Sequence, residues 1–159
     1  MNPNTRFAFN HPAHAIALGF GAGLSRRAPG TAGTLLAWAL GWLLLDDQAP
    51  VVQFAVLAVA FVLGIWACGL TGRHLGVADH GAMVWDEVVA FLVVLVVLPK
   101  TLAWQAAGFV LFRAFDILKP PPIRWLERSL HGGLGVMADD ILAAGYTLLC
   151  LSIVKRMFF

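Results

Sequence analysis

The chain has 159 residues, enough for one domain, but its composition excludes an ordinary soluble one. Apolar residues make up 60% of it and charged residues 13%, whereas soluble domains average roughly 45–50% and about 25%. The formal charge of +2 is too small to indicate nucleic-acid binding, and the two cysteines, both in apolar runs, form no disulfide framework or zinc-ligand spacing. The sequence therefore predicts an integral membrane protein, with one domain over residues 1–159.

Five apolar segments predict an all-α bundle of about five membrane-embedded helices. A helix is expected over residues 31–45, and the uncharged stretch 48–72 contains the roughly 20 residues that span a bilayer. The other segments, 83–98, 101–118 and 136–154, approach spanning length only by taking in charged residues. A re-entrant hairpin over residues 88–112 is the alternative to two separate spans there.

Most charged residues are predicted to lie on one side of the membrane. With five alternating spans, eight of the eleven lysines and arginines fall before residue 28 or in the loops at 71–87 and 113–140. Because basic residues accumulate in cytoplasmic loops, this side is expected to be cytoplasmic, with Phe159 outside. Seven of the nine acids fall on the same side. A purely structural protein has no reason to collect nearly all its acidic and basic residues on one side of the membrane. We therefore expect an active site at the cytoplasmic edge.

The first motif, SRRAPGTAGT, lies at residues 25–34, where the first of these helices begins. Thr31 or Thr34 is expected to cap the helix. A helix N-terminus with hydroxyl groups and two nearby arginines, Arg26 and Arg27, makes a good anion site. A simple helix cap with arginines at the membrane surface is the alternative.

Two acidic pairs are each expected to lie in the first turn of an apolar helix. Asp86 and Glu87 precede a run of apolar residues, and Asp139 and Asp140 follow a glycine-rich turn, GGLG. A charge within the bilayer costs roughly 2.5–3.5 kcal/mol and needs a partner. Carboxylate oxygens suit a hard divalent cation, which phosphate oxygens can also coordinate. The four carboxylates are therefore predicted to share a magnesium site.

The remaining motif, FRAFDILKPPPI, ends a helix with a proline triplet. Arg113 and Asp116 have i,i+3 spacing and are expected to pair. Lys119 stands at the helix end, and Arg113, Lys119 and Arg124 are expected to reach one phosphate. With the acidic pairs, these residues indicate phosphoryl chemistry on a lipid headgroup, without identifying the lipid.

In this order, the four motifs resemble those of the phosphatidylglycerophosphatase A family. The resemblance covers about residues 17–145 and rests on GAGLSRRAPGTAGTL, VWDEVVAF, FRAFDILKPPPI and HGGLGVMADDILAAGY. It implies a multi-pass enzyme of the bacterial inner membrane that removes the terminal phosphate of phosphatidylglycerophosphate, with Mg²⁺ as cofactor and membrane lipids around it. Arg27 stands where the family usually has a lysine.

Carried over by position, the resemblance assigns two sets of site residues. The acidic set is Asp86, Glu87, Asp116, Asp139 and Asp140, and the phosphate-binding set is Arg27, Thr31, Thr34, Arg113 and Lys119. A water molecule activated by metal and an aspartate acting as covalent nucleophile are both compatible with these residues.

Two other functions remain open from the sequence. One is a different lipid-phosphate phosphatase, and the other is a small cation transporter or channel subunit that uses the acids as a cation path. The segment from Gly19 to Gly23 has the G-x-x-x-G spacing of helix dimerisation faces, from which a homodimer is one expectation.

Overall fold

In the computed structural model, residues 2–158 are described, with only the backbone described at residues 126–128 and 158. Phe159, which the predicted topology puts outside the membrane, is not among the described residues. Over the described range the chain is all helical, which confirms the predicted class. The helices are α1 (Thr5–Asn10), α2 (Pro12–Ala17), α3 (Pro29–Leu40), α4 (Pro50–Leu75), α5 (Trp85–Val97), α6 (Leu102–Leu118), α7 (Ile123–Ser129) and α8 (Gly132–Phe158). A 3₁₀ segment, Gly19–Leu24, precedes α3, and a π-helical turn, Gly41–Leu45, continues it.

Two helices in the described part of the chain are long and apolar enough to cross a membrane. They are α4 and the stretch Gly132–Met157 of α8, each 26 residues long, or about 39 Å. Helices α5 and α6 have 13 and 17 residues, or about 20 and 26 Å, less than a hydrocarbon core of about 30 Å. The lengths alone thus give two spanning helices, fewer than the predicted five.

Helix α5 is the centre of the bundle. Four consecutive residues, Val88, Val89, Ala90 and Phe91, are each at most 1% exposed, so the helix is buried all round, as expected for a uniformly apolar helix. It packs against α3, α4 and α8. Its first turn, which carries Asp86 and Glu87, is therefore held between other helices.

The GGLG segment belongs to α8 and is not a turn that precedes it. A Cβ on Gly133 would overlap the carbonyl oxygen of Ile65 and lie 2.8 Å from the nitrogen of Gly69, so this glycine lets α8 pack directly on the α4 backbone. Because α8 begins at Gly132 and has no acid in its first turn, the prediction that Asp139 and Asp140 lie there was wrong. Both carboxylates lie deeper in the bundle, and both are buried.

The beginning of α3 also differs from its prediction. The helix starts at Pro29, where proline suits the first helical position, and its N-cap, Ala28, provides no side-chain hydrogen bond. Thr34 does not cap the helix, because its hydroxyl donates to the carbonyl of Gly30 at 2.8 Å. Upstream, Gly19 has φ +54° within the 3₁₀ segment. The G-x-x-x-G spacing there does not form an α-helical face.

Candidate functional site

Three carboxylates meet where α5 begins beside α8. Asp86 and Glu87 come from the first turn of α5, and Asp140 comes from α8. One oxygen of each lies within 4.8 Å of the others. Asp86 and Asp140 are only 6% and 3% exposed. We call Asp86, Glu87 and Asp140 the carboxylate cluster; its two parts are more than fifty residues apart in the sequence and are joined by the packing of α5 on α8.

The carboxylate cluster has unused ligand atoms. Asp86 Oδ1, Glu87 Oε2 and Asp140 Oδ2 are buried, and none of them has a hydrogen-bond partner among the described residues. Buried polar atoms are normally paired, and negative charges this close repel each other. A divalent cation would bind the unpaired oxygens and offset the repulsion between the carboxylates, and its preferred ligands are oxygens. The donor set therefore fits Mg²⁺.

Arg113 borders the carboxylate cluster from α6. Its Nη1 lies 2.6 Å from Asp116 Oδ2 and 3.5 Å from Glu87 Oε1, so the predicted i,i+3 pair with Asp116 is confirmed. The Arg113 Nε is buried and donates to no described residue. The guanidinium therefore keeps a donor for an anion while two carboxylates fix its position.

Asp139 and Asp140, the second acidic pair, contact different groups. Asp139 Oδ2 accepts from Lys119 Nζ at 2.7 Å, whereas Asp140 belongs to the carboxylate cluster. Lys119 follows the last residue of α6 and has a left-handed backbone, φ 43°. Such a conformation is uncommon outside glycine, and here it ends α6 at the predicted position. The ammonium is thereby turned towards α8.

The N-terminus of α3 touches the carboxylate cluster through a glycine. A Cβ on Gly30 would overlap Glu87 Oε1 and lie 2.7 Å from Arg113 Nη2. The first N–H groups of a helix have no intrahelical acceptor and attract anions. Sequence reasoning did not single out Gly30, although its place in the APGTAGT segment, just inside a helix start, is a usable signal.

Three other predicted phosphate-binding residues, Arg27, Thr31 and Arg124, are exposed or half-buried. Arg27 is exposed in the connection before α3, and Thr31 is half-buried in the first turn of α3. Arg124 is exposed on α7, and its guanidinium donates to the carbonyl of Leu118 at 3.2 Å. The structure therefore brings Arg113, but not Arg124, to the carboxylate cluster.

Comparison with known proteins decides the family. The sequence profile of the family described as PgpA: Phosphatidylglycerophosphatase A matches residues 15–155. The chain belongs to the phosphatidylglycerophosphatase A family. It is 44% identical over 150 residues to phosphatidylglycerophosphatase A of Haemophilus influenzae, with 93% of this chain and 91% of the relative covered. This confirms the family that the four motifs resemble.

Two further relatives belong to the same comparison. Phosphatidylglycerophosphatase A of Escherichia coli K12 is 42% identical over 140 residues, 87% of this chain and 81% of the relative. A Bacteroides thetaiotaomicron protein with the provisional name of a phosphatidylinositol-3-phosphatase is 40% identical over 147 residues, 88% of this chain and 91% of the relative. All three relatives are named for phosphatase activity on a phospholipid. No solved structure matches the chain.

Proposed function

We propose that this protein hydrolyses the terminal phosphate monoester of phosphatidylglycerophosphate, giving phosphatidylglycerol and inorganic phosphate. The carboxylate cluster carries the proposal, because it joins three buried acids with unused oxygens to an arginine that has a free donor. Two of the relatives above are named for this activity.

In the proposed reaction, each charged side chain of the site has a role in binding the metal or the phosphate. Asp86, Glu87 and Asp140 would hold Mg²⁺, which when bound would supply an electrophile for the phosphate oxygens. Arg113 binds the phosphoryl oxygens and stabilises the charge that grows on them. Hydrolysis breaks the ester P–O bond and transfers the phosphoryl group to a water oxygen. The water gives up one proton, and the glycerol oxygen that leaves takes one up to become a neutral hydroxyl. Lys119, held by Asp139, binds a further phosphate oxygen.

The protein is proposed to work in the bacterial inner membrane, with five embedded helices. Large apolar side chains stand exposed along both long helices, such as Val51 (81%) and Val62 (64%) on α4 and Leu149 (56%) on α8. An exposed apolar surface of this extent is suited to contact with the lipid of a membrane. The uneven distribution of lysine and arginine supports a carboxylate cluster at the cytoplasmic edge.

The arrangement of the acids favours an enzyme over a cation channel. A conducting path needs ionisable groups along the depth of the bundle, but Asp86, Glu87 and Asp140 meet at one end of α5. Arg113 lies beside Glu87, and Lys119 pairs with Asp139, the neighbour of Asp140 in the sequence. Cations this close to the acids would oppose the passage of another.

A substrate panel tests the proposed specificity. The purified protein is assayed for phosphate release from phosphatidylglycerophosphate, phosphatidylinositol-3-phosphate, phosphatidate and a soluble phosphomonoester, with matched acyl chains for the lipids. We expect kcat/KM to be highest for phosphatidylglycerophosphate. Equal or higher values for phosphatidylinositol-3-phosphate, the lipid in the name of the Bacteroides relative, would reassign the substrate.

A further inference from the structure

A cavity with both polar and apolar walls lies near the other end of α5 from the carboxylate cluster. It has a volume of about 360 Å³, and its lining includes Trp42, Leu95, Lys100 and Gln105. Leu95 is nine residues after Asp86 on α5, about 14 Å along the helix. We call this the distal cavity; it is separate from the proposed catalytic site.

Gln105 is the fixed polar group of the distal cavity. It is 3% exposed, and its Oε1 accepts from the indole nitrogens of Trp38 and Trp42, both at 2.9 Å. An amide nitrogen cannot accept hydrogen bonds, so the atom that accepts from both indoles must be the oxygen. This fixes the orientation of the Gln105 amide. The Gln105 amide nitrogen therefore points elsewhere, and it donates to no residue that the structure describes. Gln105 lines the distal cavity, so this nitrogen can donate to a group that enters it.

The distal cavity also offers charges and an acceptor. Lys100 Nζ lies 3.0 Å from Asp46 Oδ1, and both side chains are partly exposed at the cavity. Gln53 donates its amide to the carbonyl of Leu45 at 2.7 Å, which leaves its Oε1 as an acceptor. Leu95, Leu45 and Val96 supply apolar wall. The cavity thus combines two kinds of donor, two kinds of acceptor and no net charge.

We propose that the distal cavity binds a zwitterionic phospholipid whose headgroup carries a primary ammonium. Phosphate oxygens accept from the Gln105 amide and the Lys100 ammonium, the lipid ammonium contacts Asp46 and Gln53 Oε1, and the first part of an acyl chain lies along the apolar wall. A headgroup with both charges matches the Lys100–Asp46 pair, whereas a purely anionic headgroup leaves Asp46 facing like charge. This proposal rests on the membrane location given under the proposed function, but not on the phosphatase activity.

Native mass spectrometry of the purified protein tests this site. The protein is equilibrated with matched phosphatidylethanolamine or phosphatidylglycerol, and the retained lipids are counted. We expect one phosphatidylethanolamine to be retained in preference to phosphatidylglycerol. Gln105→Glu keeps an oxygen for both indoles but replaces the amide donor with an acceptor, so retention should weaken by about tenfold or more. Lys100→Met changes a largely exposed side chain and should weaken retention severalfold.

Controls separate this proposal from the others. Asp47→Asn changes an exposed acid outside the cavity lining and should leave lipid retention unchanged. Near-ultraviolet circular dichroism checks that Trp38 and Trp42 keep their environment in Gln105→Glu. Asp86→Asn should abolish phosphate release yet retain the lipid, so failure at one site is distinguishable from failure at the other. Equal retention of phosphatidylethanolamine in wild type, Gln105→Glu and Lys100→Met would overturn the proposal. A preference for phosphatidylglycerol that these two variants abolish would also overturn it, because phosphatidylglycerol retained as product at the catalytic site does not depend on Gln105 or Lys100.

Discussion

Lys119 Nζ lies 2.7 Å from Asp139 Oδ2, so the two acids of the Asp139–Asp140 pair have different surroundings. Only Asp140 joins Asp86 and Glu87 within metal-coordinating range of one another. Successive residues of a helix point about 100° apart, and on α8 this difference turns Asp139 towards Lys119 and Asp140 towards Asp86 and Glu87. The site is thus best described as three carboxylates with an adjacent lysine–aspartate pair.

Because Asp139 and Asp140 have different surroundings, their substitution by asparagine should have different effects. Asp140→Asn should weaken Mg²⁺ affinity at least tenfold, because it removes a charged ligand. Asp139→Asn should lower turnover through Lys119 while changing Mg²⁺ affinity much less. Isothermal titration with Mg²⁺, together with phosphate-release kinetics, measures both effects. Equal losses of metal affinity in the two variants would support four shared carboxylates instead.

A side chain at Gly30 should disturb the site but still allow folding, because the atoms in its way are the ends of two flexible side chains. In Gly30→Ala the new methyl group would overlap Glu87 Oε1 and crowd Arg113, so both side chains must move from their present positions in the site. We expect kcat/KM to fall at least a hundredfold, since displacements of about 1 Å have such effects. Gly145→Ala is the matched control, because a Cβ there meets nothing within 4 Å, and its activity should equal that of wild type. An active Gly30→Ala variant would contradict the described contact.

His14 should make the folded protein sensitive to acid. Burial lowers the pKa of His14 below its usual 6.5, and the neighbouring His74 and His11 lower it further, although a hydrogen bond to the carbonyl of Phe7 opposes the shift. The unfolded chain therefore takes up this proton more readily than the folded one. Stability should fall as the pH decreases below about 6.5, with no contribution from His14 at higher pH.

The His14 effect is measured as the unfolding temperature between pH 8 and pH 5. His14→Gln keeps a donor for the Phe7 carbonyl but does not titrate, so its unfolding temperature should fall less on acidification than that of wild type. Identical pH profiles for the two proteins would contradict the assignment.

Local features of the site could be predicted from the sequence, whereas contacts between distant segments could not. The Arg113–Asp116 pair and the end of α6 at Lys119 follow from local spacing and from the proline triplet, and both are confirmed. The different partners of Asp139 and Asp140 depend on how α8 is rotated against α5, which no local pattern encodes. The contact of Gly30 with Glu87 depends in the same way on helices that are distant in the sequence.

The membrane topology has its own test. Reporter fusions after Asp47, Arg73 and Lys100 should report outside, cytoplasm and outside if, as proposed, five embedded helices alternate with the basic loops inside. A cytoplasmic signal after Lys100 would show that the α5–α6 hairpin is re-entrant from the cytoplasmic side.

The central claim is that the carboxylate cluster needs a divalent cation to release phosphate from phosphatidylglycerophosphate. The most direct measurement is phosphate release by the purified protein after chelation, followed by titration with Mg²⁺, in wild type and in Asp86→Asn. We expect chelation to abolish turnover, Mg²⁺ to restore it in wild type, and Asp86→Asn to stay inactive at the same Mg²⁺ concentrations. Undiminished phosphate release by the chelated wild-type protein would contradict the claim.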